Sequence, residues 1–185
     1  MKKSTFIEQP VEPVLLRLDL GAGKGRNTPE GFLKVDLHPC PGIRVVDLRK
    51  RWPWAKASVD EVSTNYVLPF LAPHERVHFM NELYRVLKPG AKAQMITPYW
   101  ASCKAYGDAT AYYPPIAESW YARLNKAWRD AQNYEDPDGY TCNFDHTIGY
   151  SLHQSIASRN MEYQQHAVSF WKEAAQDMIC TLIKG

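Results

Sequence analysis

Short apolar runs and amphipathic stretches alternate along the chain. The first run covers Val14–Leu20, where Leu or Val stands at nearly every position. A continuous apolar run of this length is typical of a strand that is buried on both faces of a sheet. Further segments with strand-like patterns are Phe32–Asp36, Ile43–Leu48, Val59–Val67, Ala91–Thr97, Asn143–Tyr150 and Met178–Ile183.

The longest helical pattern lies between the fourth and fifth of these strands. From Pro73 to Leu87, apolar residues recur every three or four positions and form one stripe. Pro73 suits the first turn of a helix, and Pro89-Gly90 predicts its end. Similar patterns predict helices over 116–131 and 157–176. The last helix would turn these residues inward: Met161, Val168, Trp171 and Ala175. Strands that alternate with helices indicate the α/β class.

Candidate chemistry begins directly after the first strand. Gly21, Gly23 and Gly25 stand at alternate positions there, and without Cβ atoms they let the backbone approach a bulky ligand closely. Asp36 ends the second strand, and a carboxylate there offers two acceptor oxygens to the hydroxyls of a ribose. A strand, a glycine loop, a second strand and an acid therefore predict a nucleoside-binding site.

Size and composition change this picture little. The chain has 185 residues, 45% of them hydrophobic and 23% charged, which suits one globular domain over 1–185. No apolar run is long enough to span a bilayer, and the first residues lack the apolar core of a signal peptide. The four cysteines show no paired spacing, so we expect free thiols and a cytoplasmic location. Residues 1–13 are polar and predict an exposed N-terminal arm.

The net charge of +2 favours no class of partner by itself. The densest basic cluster is Arg49–Arg51, which adjoins Trp52 and Trp54. Basic residues interleaved with aromatic residues can track a nucleic-acid strand. Alternatively, the segment is a solvated loop whose tryptophans close over the sheet edge or over an adenine ring, and we favour this interpretation.

Four segments together resemble class I S-adenosylmethionine-dependent methyltransferases. Leu18–Gly25 resembles the first motif of that family, and Val45–Leu48 resembles its third strand with an adenine-binding acid. Ser58–Val62 resembles the fourth strand, and Leu83–Ala91 resembles the passage of helix, Lys-Pro-Gly and strand. The resemblance covers residues 14–100 well. It implies a Rossmann-like three-layer sandwich, in which a mostly parallel seven-stranded sheet with an antiparallel last strand has helices on both faces.

The resemblance also implies S-adenosylmethionine as the cofactor and a set of cofactor-binding residues. Gly21, Gly23 and Gly25 would shape the methionine side, Asp19 would support their loop, Asp36 would take the ribose and Asp47 the adenine. The complete set of expected cofactor-binding residues is Asp19, Gly21, Ala22, Gly23, Gly25, Asp36, Leu37, Asp47, Leu48, Asn65 and Tyr66.

Two features depart from the family pattern. Residues 26–31 are too few for the usual helix between the first two strands, so a tight loop or one helical turn must connect them. Binding would then depend on glycine amides, with Lys24 or Arg26 as candidates for contact with the methionine carboxylate. The family often has a Glu-His pair after the fourth strand, but Pro69 and Phe70 stand there instead.

The acceptor side is less determined by the sequence. Residues 101–142 follow the fifth strand and predict a lid on the substrate side, because ligands bind beyond the carboxyl ends of parallel strands. Tyrosines and tryptophans are dense in its first part, where they could stack on a planar substrate or simply fill a core. The weak candidates for a catalytic base are Asp145, His146, His153 and Asp108. No residue set has the spacing of a metal site.

The sequence thus predicts a methyltransferase that moves a methyl group from S-adenosylmethionine to an acceptor by in-line displacement. The acceptor is a small molecule or a nucleic acid, and nothing indicates a membrane partner. One alternative is a non-catalytic nucleotide- or S-adenosylmethionine-binding module of the same fold, which the shortened connection and the missing Glu-His pair would suit. A further alternative is an NAD-dependent oxidoreductase, in which Asp36 would bind the NAD ribose.

Overall fold

A computed structural model describes residues 14–133 and 139–185. The predicted N-terminal arm, residues 1–13, and most of the turn predicted at residues 136–139 lie outside the described part. Seven strands form one sheet: β1 (Arg17–Leu20), β2 (Leu33–Asp36), β3 (Arg44–Val45), β4 (Val59–Asn65), β5 (Leu87–Pro98), β6 (Phe144–Leu152) and β7 (Ala175–Lys184).

Helical segments connect the later strands. They are a 3₁₀ turn (Leu68–Phe70), α1 (Pro73–Val86), a second 3₁₀ turn (Cys103–Ala105), α2 (Glu118–Ala122), α3 (Lys126–Ala131), α4 (Gln154–Ala157) and α5 (Met161–Phe170). The longest of them, α1, has 14 residues. Within the described ranges, no helix combines the length and the hydropathy that crossing a bilayer requires.

The sheet has the strand order β3-β2-β1-β4-β5-β7-β6. Strands β1 to β5 pair in parallel, and β7 lies antiparallel between β5 and β6. The predicted fold, a mostly parallel seven-stranded sheet with an antiparallel last strand, is confirmed. The order in which successive strands join the sheet reverses between β1 and β4, so a crevice opens there at the carboxyl ends of the strands.

The first strand is shorter than its apolar run suggests. Only Arg17–Leu20 is extended, whereas Val14 is 95% exposed and Leu15 is also exposed. The reason is the short partner on one side, because β2 offers only four residues for pairing. Leu18 pairs with Leu33 on one side and with Val62 on the other, which buries the second half of the run.

The third strand is also shorter than predicted. Arg44–Val45 replaces the expected Ile43–Leu48, and both of its residues are exposed at the sheet edge. Val46 still donates its N–H to the Asp36 carbonyl at 2.9 Å. The chain then turns, because the Asp47 carboxylate accepts the Arg49 N–H at 3.1 Å and thereby stabilises a turn in place of further strand.

Helix α1 packs on the core face of the sheet. Val77, Met80 and Leu83 are buried against strand residues such as Val62 and Met95, as the helical pattern predicts. The end of the helix differs slightly from the expectation. The helix stops at Val86, and the chain enters β5 at once, with the Lys-Pro-Gly passage inside that strand.

Two predicted long helices are each broken by an asparagine. Asn125 separates α2 from α3 and accepts the Trp128 N–H at 3.0 Å, and Asn160 starts α5 by accepting the Tyr163 N–H at 2.9 Å. Such side-chain acceptors are typical of helix N-caps. The prediction that this helix turns four residues inward is therefore wrong in part, because Met161 and Trp171 are 73% and 42% exposed and Ala175 lies in β7.

The tryptophans of the basic segment belong to the core. Trp52 and Trp54 are 2% and 7% exposed, and the Trp52 ring packs edge-on against Phe79 at 5.0 Å. The Trp52 N–H donates to the Glu82 carboxylate at 2.7 Å, and Arg85 binds the same carboxylate at 2.7 Å. These tryptophans therefore close over the sheet and are not available to stack on a nucleic-acid strand.

The opposite face of the sheet is polar. Glu61 and Ser63 of β4 are half-buried there, and Lys92 and Gln94 of β5 are exposed. Further helices were expected to cover this face. Instead, its described side chains line a surface depression of about 400 Å³.

Candidate active site

The glycine loop after β1 folds back onto β2. Gly21 and Ala22 both donate their N–H groups to the Val35 carbonyl, at 2.8 and 3.0 Å. Gly21 has φ of +74°, and a Cβ atom on it would lie 2.1 Å from Cγ2 of Val67. Only glycine fits this position, because both the backbone angle and the close contact exclude a side chain.

Asp36 joins the glycine loop to the end of β2. One carboxylate oxygen accepts the Gly23 N–H at 2.8 Å, and the other accepts the His38 N–H at 2.9 Å. The side chain is 13% exposed and lies on the wall of the crevice. Each oxygen can accept a second hydrogen bond, although at Oδ1 a ligand hydroxyl would replace the contact of 3.3 Å with Nδ1 of His38.

Asp19 supports the loop from within β1. It is 5% exposed and accepts a hydrogen bond of 2.5 Å from the Thr28 hydroxyl. Burial raises the pKa of the Asp19 carboxyl, and the Thr28 hydrogen bond opposes this effect. Thr28 lies in the short connection of residues 26–31 and ties it to β1, a role that the sequence pattern did not reveal.

Asp47 and Leu48 lie at the far end of the crevice, beside β3. The Asp47 carboxylate binds the Arg49 guanidinium through two contacts of 2.8 and 3.1 Å. The hydrogen bond from Arg49 lowers the pKa of Asp47, so the carboxylate is ionised at neutral pH. Leu48 is buried and contributes apolar surface to the same wall as Asp47. The two residues can present an acceptor and an apolar surface to a ring.

Asn65 and Tyr66 close the crevice at the end of β4. Among the described residues, buried Oδ1 of Asn65 has no hydrogen-bond partner. An unpaired buried acceptor is costly unless a ligand satisfies it. Tyr66 follows with φ of +58°, a strained value for a residue with a side chain. Both residues line the crevice and a smaller cavity of about 270 Å³ beside the glycine loop.

The crevice is large enough for a nucleoside. Its volume is about 410 Å³. The residues around it are Gly21, Asp36, Leu37, His38, Val46, Asp47, Leu48, Arg49, Asn65, Tyr66, Val67, Phe70 and Leu71. The structure thus brings most of the expected cofactor-binding residues to one crevice and the adjoining cavity, where Asp19, Ala22 and Gly23 also lie.

The remaining candidates for cofactor binding lie outside the crevice and its neighbouring cavity. Gly25 donates its N–H to the Ala22 carbonyl at 2.7 Å, and a Cβ atom on it would meet the Lys34 side chain. It shapes the turn but is outside the walls of the crevice and its neighbouring cavity. Lys24 and Arg26 are exposed and also stand apart from these walls.

A second cavity adjoins the crevice and shares Tyr66 and Phe70 with it. Its volume is about 160 Å³. Its walls come from the ends of β4 and β5 and from residues 104–116: Tyr66, Pro69, Phe70, Thr97, Pro98, Lys104, Ala105, Asp108, Ala111, Tyr112, Pro115 and Ile116. Several of its wall residues thus belong to the segment 101–142, which the sequence predicts as a lid on the substrate side.

Three polar side chains form a closed cluster beside this cavity. Lys104 Nζ contacts Oδ1 of Asp177 at 2.8 Å, and it also donates to the Tyr66 hydroxyl, which in turn donates to Asp177. Burial alone would lower the pKa of Lys104, but the hydrogen bonds with Asp177 and Tyr66 outweigh it and raise that pKa. Burial and the hydrogen bond to Asp177 raise the pKa of Tyr66. Sequence reasoning missed Lys104 and Asp177, which no motif marks.

The candidate catalytic bases separate into two groups. Asp108 lies on the wall of the second cavity. Asp145 accepts from Nδ2 of Asn125 at 2.9 Å, and His153 caps α4 at Ser155. His146 packs near the ring of Tyr121 at 6.5 Å. The last three candidates contribute nothing to the described walls of the crevice or the second cavity.

Arg76 fixes the lid segment over the second cavity. It is 4% exposed, and its guanidinium donates to the Tyr112 carbonyl at 2.9 Å and to the Pro114 carbonyl at 3.1 Å. It also donates to the Leu68 and Leu71 carbonyls, at 3.1 and 2.9 Å. One side chain therefore joins the lid to the turn that carries Phe70.

The sequence matches a family model over part of its length. Residues 33–95 match the model described as a methyltransferase domain. This range includes Asp36, Asp47, Asn65 and Tyr66 of the crevice. No curated protein sequence matches the chain.

Solved structures with the same fold include several methyltransferases. One is an S-adenosylmethionine-dependent methyltransferase from Archaeoglobus fulgidus, with 16% identity over 92% of this chain and 86% of that chain and a TM-score of 0.65. Another is the 1,6-didemethyltoxoflavin-N1-methyltransferase of Burkholderia thailandensis, which contains S-adenosylhomocysteine (16% identity, 91% and 70% coverage, TM-score 0.57). A third is an S-adenosylmethionine-dependent methyltransferase from Mesorhizobium loti (14% identity, 95% and 94% coverage, TM-score 0.51). At these identities the likeness establishes a shared fold.

Proposed function

We propose that this chain is a class I S-adenosylmethionine-dependent methyltransferase, which binds the cofactor in the crevice and methylates an acceptor in the second cavity. The observation that carries the proposal is the position of the Asp36 carboxylate. It accepts the Gly23 N–H at 2.8 Å and also lies on the crevice wall. In this arrangement Asp36 would bind the ribose beside a loop in which Gly21 has no space for a side chain.

The residues of the crevice fit the parts of the cofactor. Asp36 would accept the ribose hydroxyls, and the Asp47–Leu48 segment would take the adenine. The buried Oδ1 of Asn65 has no partner in the described part of the chain, and the α-ammonium group of the methionine portion would supply one. Gly21 packs directly against Val67, and both residues lie on the crevice wall that the cofactor would contact.

S-adenosylmethionine supplies an electrophilic methyl group on a sulfonium, with a good leaving group already in place. The protein then has mainly to position the reactants in line, which can contribute most of the rate increase. Tyr66 stands between the crevice and the second cavity, and its hydroxyl is held by Asp177 and Lys104. It would therefore fix the boundary at which donor and acceptor meet.

The alternatives from the sequence predict different ligands. A non-catalytic module would bind S-adenosylmethionine but methylate nothing, and an oxidoreductase would bind NAD. The methyltransferase-domain match over residues 33–95 supports a methyltransferase over an oxidoreductase, and the second cavity beside the crevice supports methyl transfer over a module that only binds the cofactor.

Isothermal titration calorimetry with S-adenosylmethionine, S-adenosylhomocysteine and NAD tests the proposal. We expect the first two to bind with one site each and NAD to show no saturable binding. Transfer of label from [methyl-³H]S-adenosylmethionine to a panel of small molecules and nucleic acids should then identify an acceptor. Saturable binding of NAD alone would refute the proposal, and cofactor binding without transfer to any acceptor would favour the non-catalytic module.

A further inference from the structure

The second cavity has the size of one small ring. Its volume of about 160 Å³ is close to the roughly 150 Å³ of an engineered apolar protein cavity that binds benzene. Pro69, Phe70, Pro98, Tyr112 and Ile116 supply apolar walls. A compact molecule with one ring fits this space, whereas a folded nucleic acid or a protein segment would have to reach in with a single group.

The charges on the walls are not balanced. The charge of Lys104 is already neutralised, because Asp177 lies 2.8 Å from its Nζ. The same Nζ also donates a hydrogen bond to the Tyr66 hydroxyl. Asp108 lies on the same walls, and within the described ranges it forms no salt bridge. The Asp108 side chain is exposed to solvent, and it adds to the edge of the cavity one negative charge that no described ion pair balances.

The Asp108 carboxylate is preorganised as an acceptor. Oδ1 accepts from the Thr110 N–H at 2.8 Å and from the Thr110 hydroxyl at 2.6 Å. The hydrogen bond from the Thr110 side chain lowers the pKa of Asp108, so this group is ionised at neutral pH. An ionised carboxylate repels an anionic ligand and favours a cation or a hydrogen-bond donor.

We propose that the second cavity holds the methyl acceptor and that this acceptor is a small amine with one ring, whose nitrogen lies toward Asp108. The inference rests on the proposed function, since it names the acceptor class of that same site.

The chemistry of N-methylation fits the charge of this wall. The amine loses a proton to solvent and reacts in its neutral form. Its nitrogen lone pair forms the new N–C bond, while the electron pair of the broken C–S bond remains on sulfur. The positive charge thus moves from sulfur into the acceptor cavity, where the Asp108 carboxylate stabilises it as it develops. A carboxylate acceptor would gain nothing from Asp108.

Binding of three matched probes tests the inference without any turnover. Benzylamine, benzyl alcohol and benzoate have similar shapes but differ in charge, and their dissociation constants can be measured by ligand-observed NMR. We expect benzylamine to bind roughly fivefold or more tightly than benzyl alcohol, and benzoate to bind least. Asp108→Asn should remove this preference, whereas Asp130→Asn, on the exposed α3 surface, should keep it.

A cavity-filling variant locates the bound probe. Ala111→Leu puts bulk into the cavity wall and should abolish benzylamine binding. Benzoate binding as tight as benzylamine, an unchanged preference in Asp108→Asn, or unchanged binding in Ala111→Leu would each overturn the inference. Titration with S-adenosylhomocysteine on the same sample separates the two claims. If that compound binds and the amine preference is absent, only the acceptor class is wrong; if it does not bind, the proposed function itself fails.

Discussion

The Gly23 amide donates a hydrogen bond of 2.8 Å to the carboxylate of Asp36. This bond connects the loop after β1 to the end of β2, so that the two halves of the proposed cofactor site form one unit. The usual helix between these strands is absent, since residues 21–32 form only turns. The carboxylate therefore replaces part of the rigidity that such a helix would provide.

Asp36→Ala should weaken binding of S-adenosylhomocysteine. The substitution leaves two ribose hydroxyls without a charged acceptor, which we expect to cost about 2 kcal/mol, or roughly thirtyfold in dissociation constant. Calorimetry measures this directly. Asp145→Ala is the matched control, because Asp145 is an exposed aspartate of β6 that bonds to Asn125. An unchanged dissociation constant in Asp36→Ala would remove this residue from the site.

Gly21→Ala and Gly23→Ala should differ in their effect on stability. Both glycines have positive φ, at +74° and +56°, so each alanine should cost about 1 kcal/mol in backbone strain. Only at Gly21 would the new Cβ collide with a neighbour, Cγ2 of Val67 at 2.1 Å. We therefore expect Gly21→Ala to lower the free energy of unfolding by about 1–3 kcal/mol more than Gly23→Ala does. Equal losses in urea denaturation would contradict the close packing described for this loop.

Glu82 should stabilise the fold in a pH-dependent manner. Burial alone would raise its pKa, but the hydrogen bonds from Arg85 and from the Trp52 N–H outweigh it and lower that pKa below the ordinary value of 4.5. A lowered folded-state pKa means that the stabilisation is complete above the unfolded-state value and is lost as pH falls through the folded-state value.

Glu82→Gln tests this dependence. We expect it to reduce the free energy of unfolding by about 2 kcal/mol at pH 7, and the difference from the wild type should shrink below the ordinary glutamate value of 4.5. Asp130→Asn removes an exposed ion pair with Lys126 and should change stability by less than about 0.5 kcal/mol. A difference between wild type and Glu82→Gln that stays constant with pH would show that the carboxylate charge plays no part.

Arg76→Lys should loosen the lid over the second cavity. Lysine keeps the positive charge but cannot reach the four carbonyls that the guanidinium binds, so we expect a loss of about 1–3 kcal/mol in stability. Amide hydrogen exchange in residues 104–116 should accelerate more than exchange in β5 or β7. Arg51→Lys, at an exposed position, serves as the control. Exchange that accelerates equally throughout the chain would argue against a local clamp.

The central strands and α1 can be predicted from the sequence because the spacing of their apolar residues determines which side faces the core. Val77, Met80 and Leu83 have helical spacing and lie in the core, and the glycine loop with Asp36 lies where the motif predicts. The edge strand of the sheet and the helices in the second half of the chain are harder to predict. β3 is cut short by a side-chain turn at Asp47, and Asn125 and Asn160 interrupt helices whose apolar spacing continues across them.

The acceptor side depends on contacts between distant parts of the chain. Lys104 meets Asp177 across 73 positions, and Arg76 reaches Tyr112 across 36. Neither pair lies in a motif, and nothing in the local pattern distinguishes these residues from surface charges. Asp108 was one of several candidate bases from the sequence. Its place on the cavity wall results from the path of the loop after β5, which periodicity does not determine.

A crystal structure with S-adenosylhomocysteine tests the central claim most directly. We expect the ribose hydroxyls within hydrogen-bond distance of the Asp36 carboxylate, the adenine beside Leu48, and the sulfur atom facing Tyr66 and the second cavity. Density for the compound at another surface, or its absence from the crevice at saturating concentration, would contradict the assignment of this site.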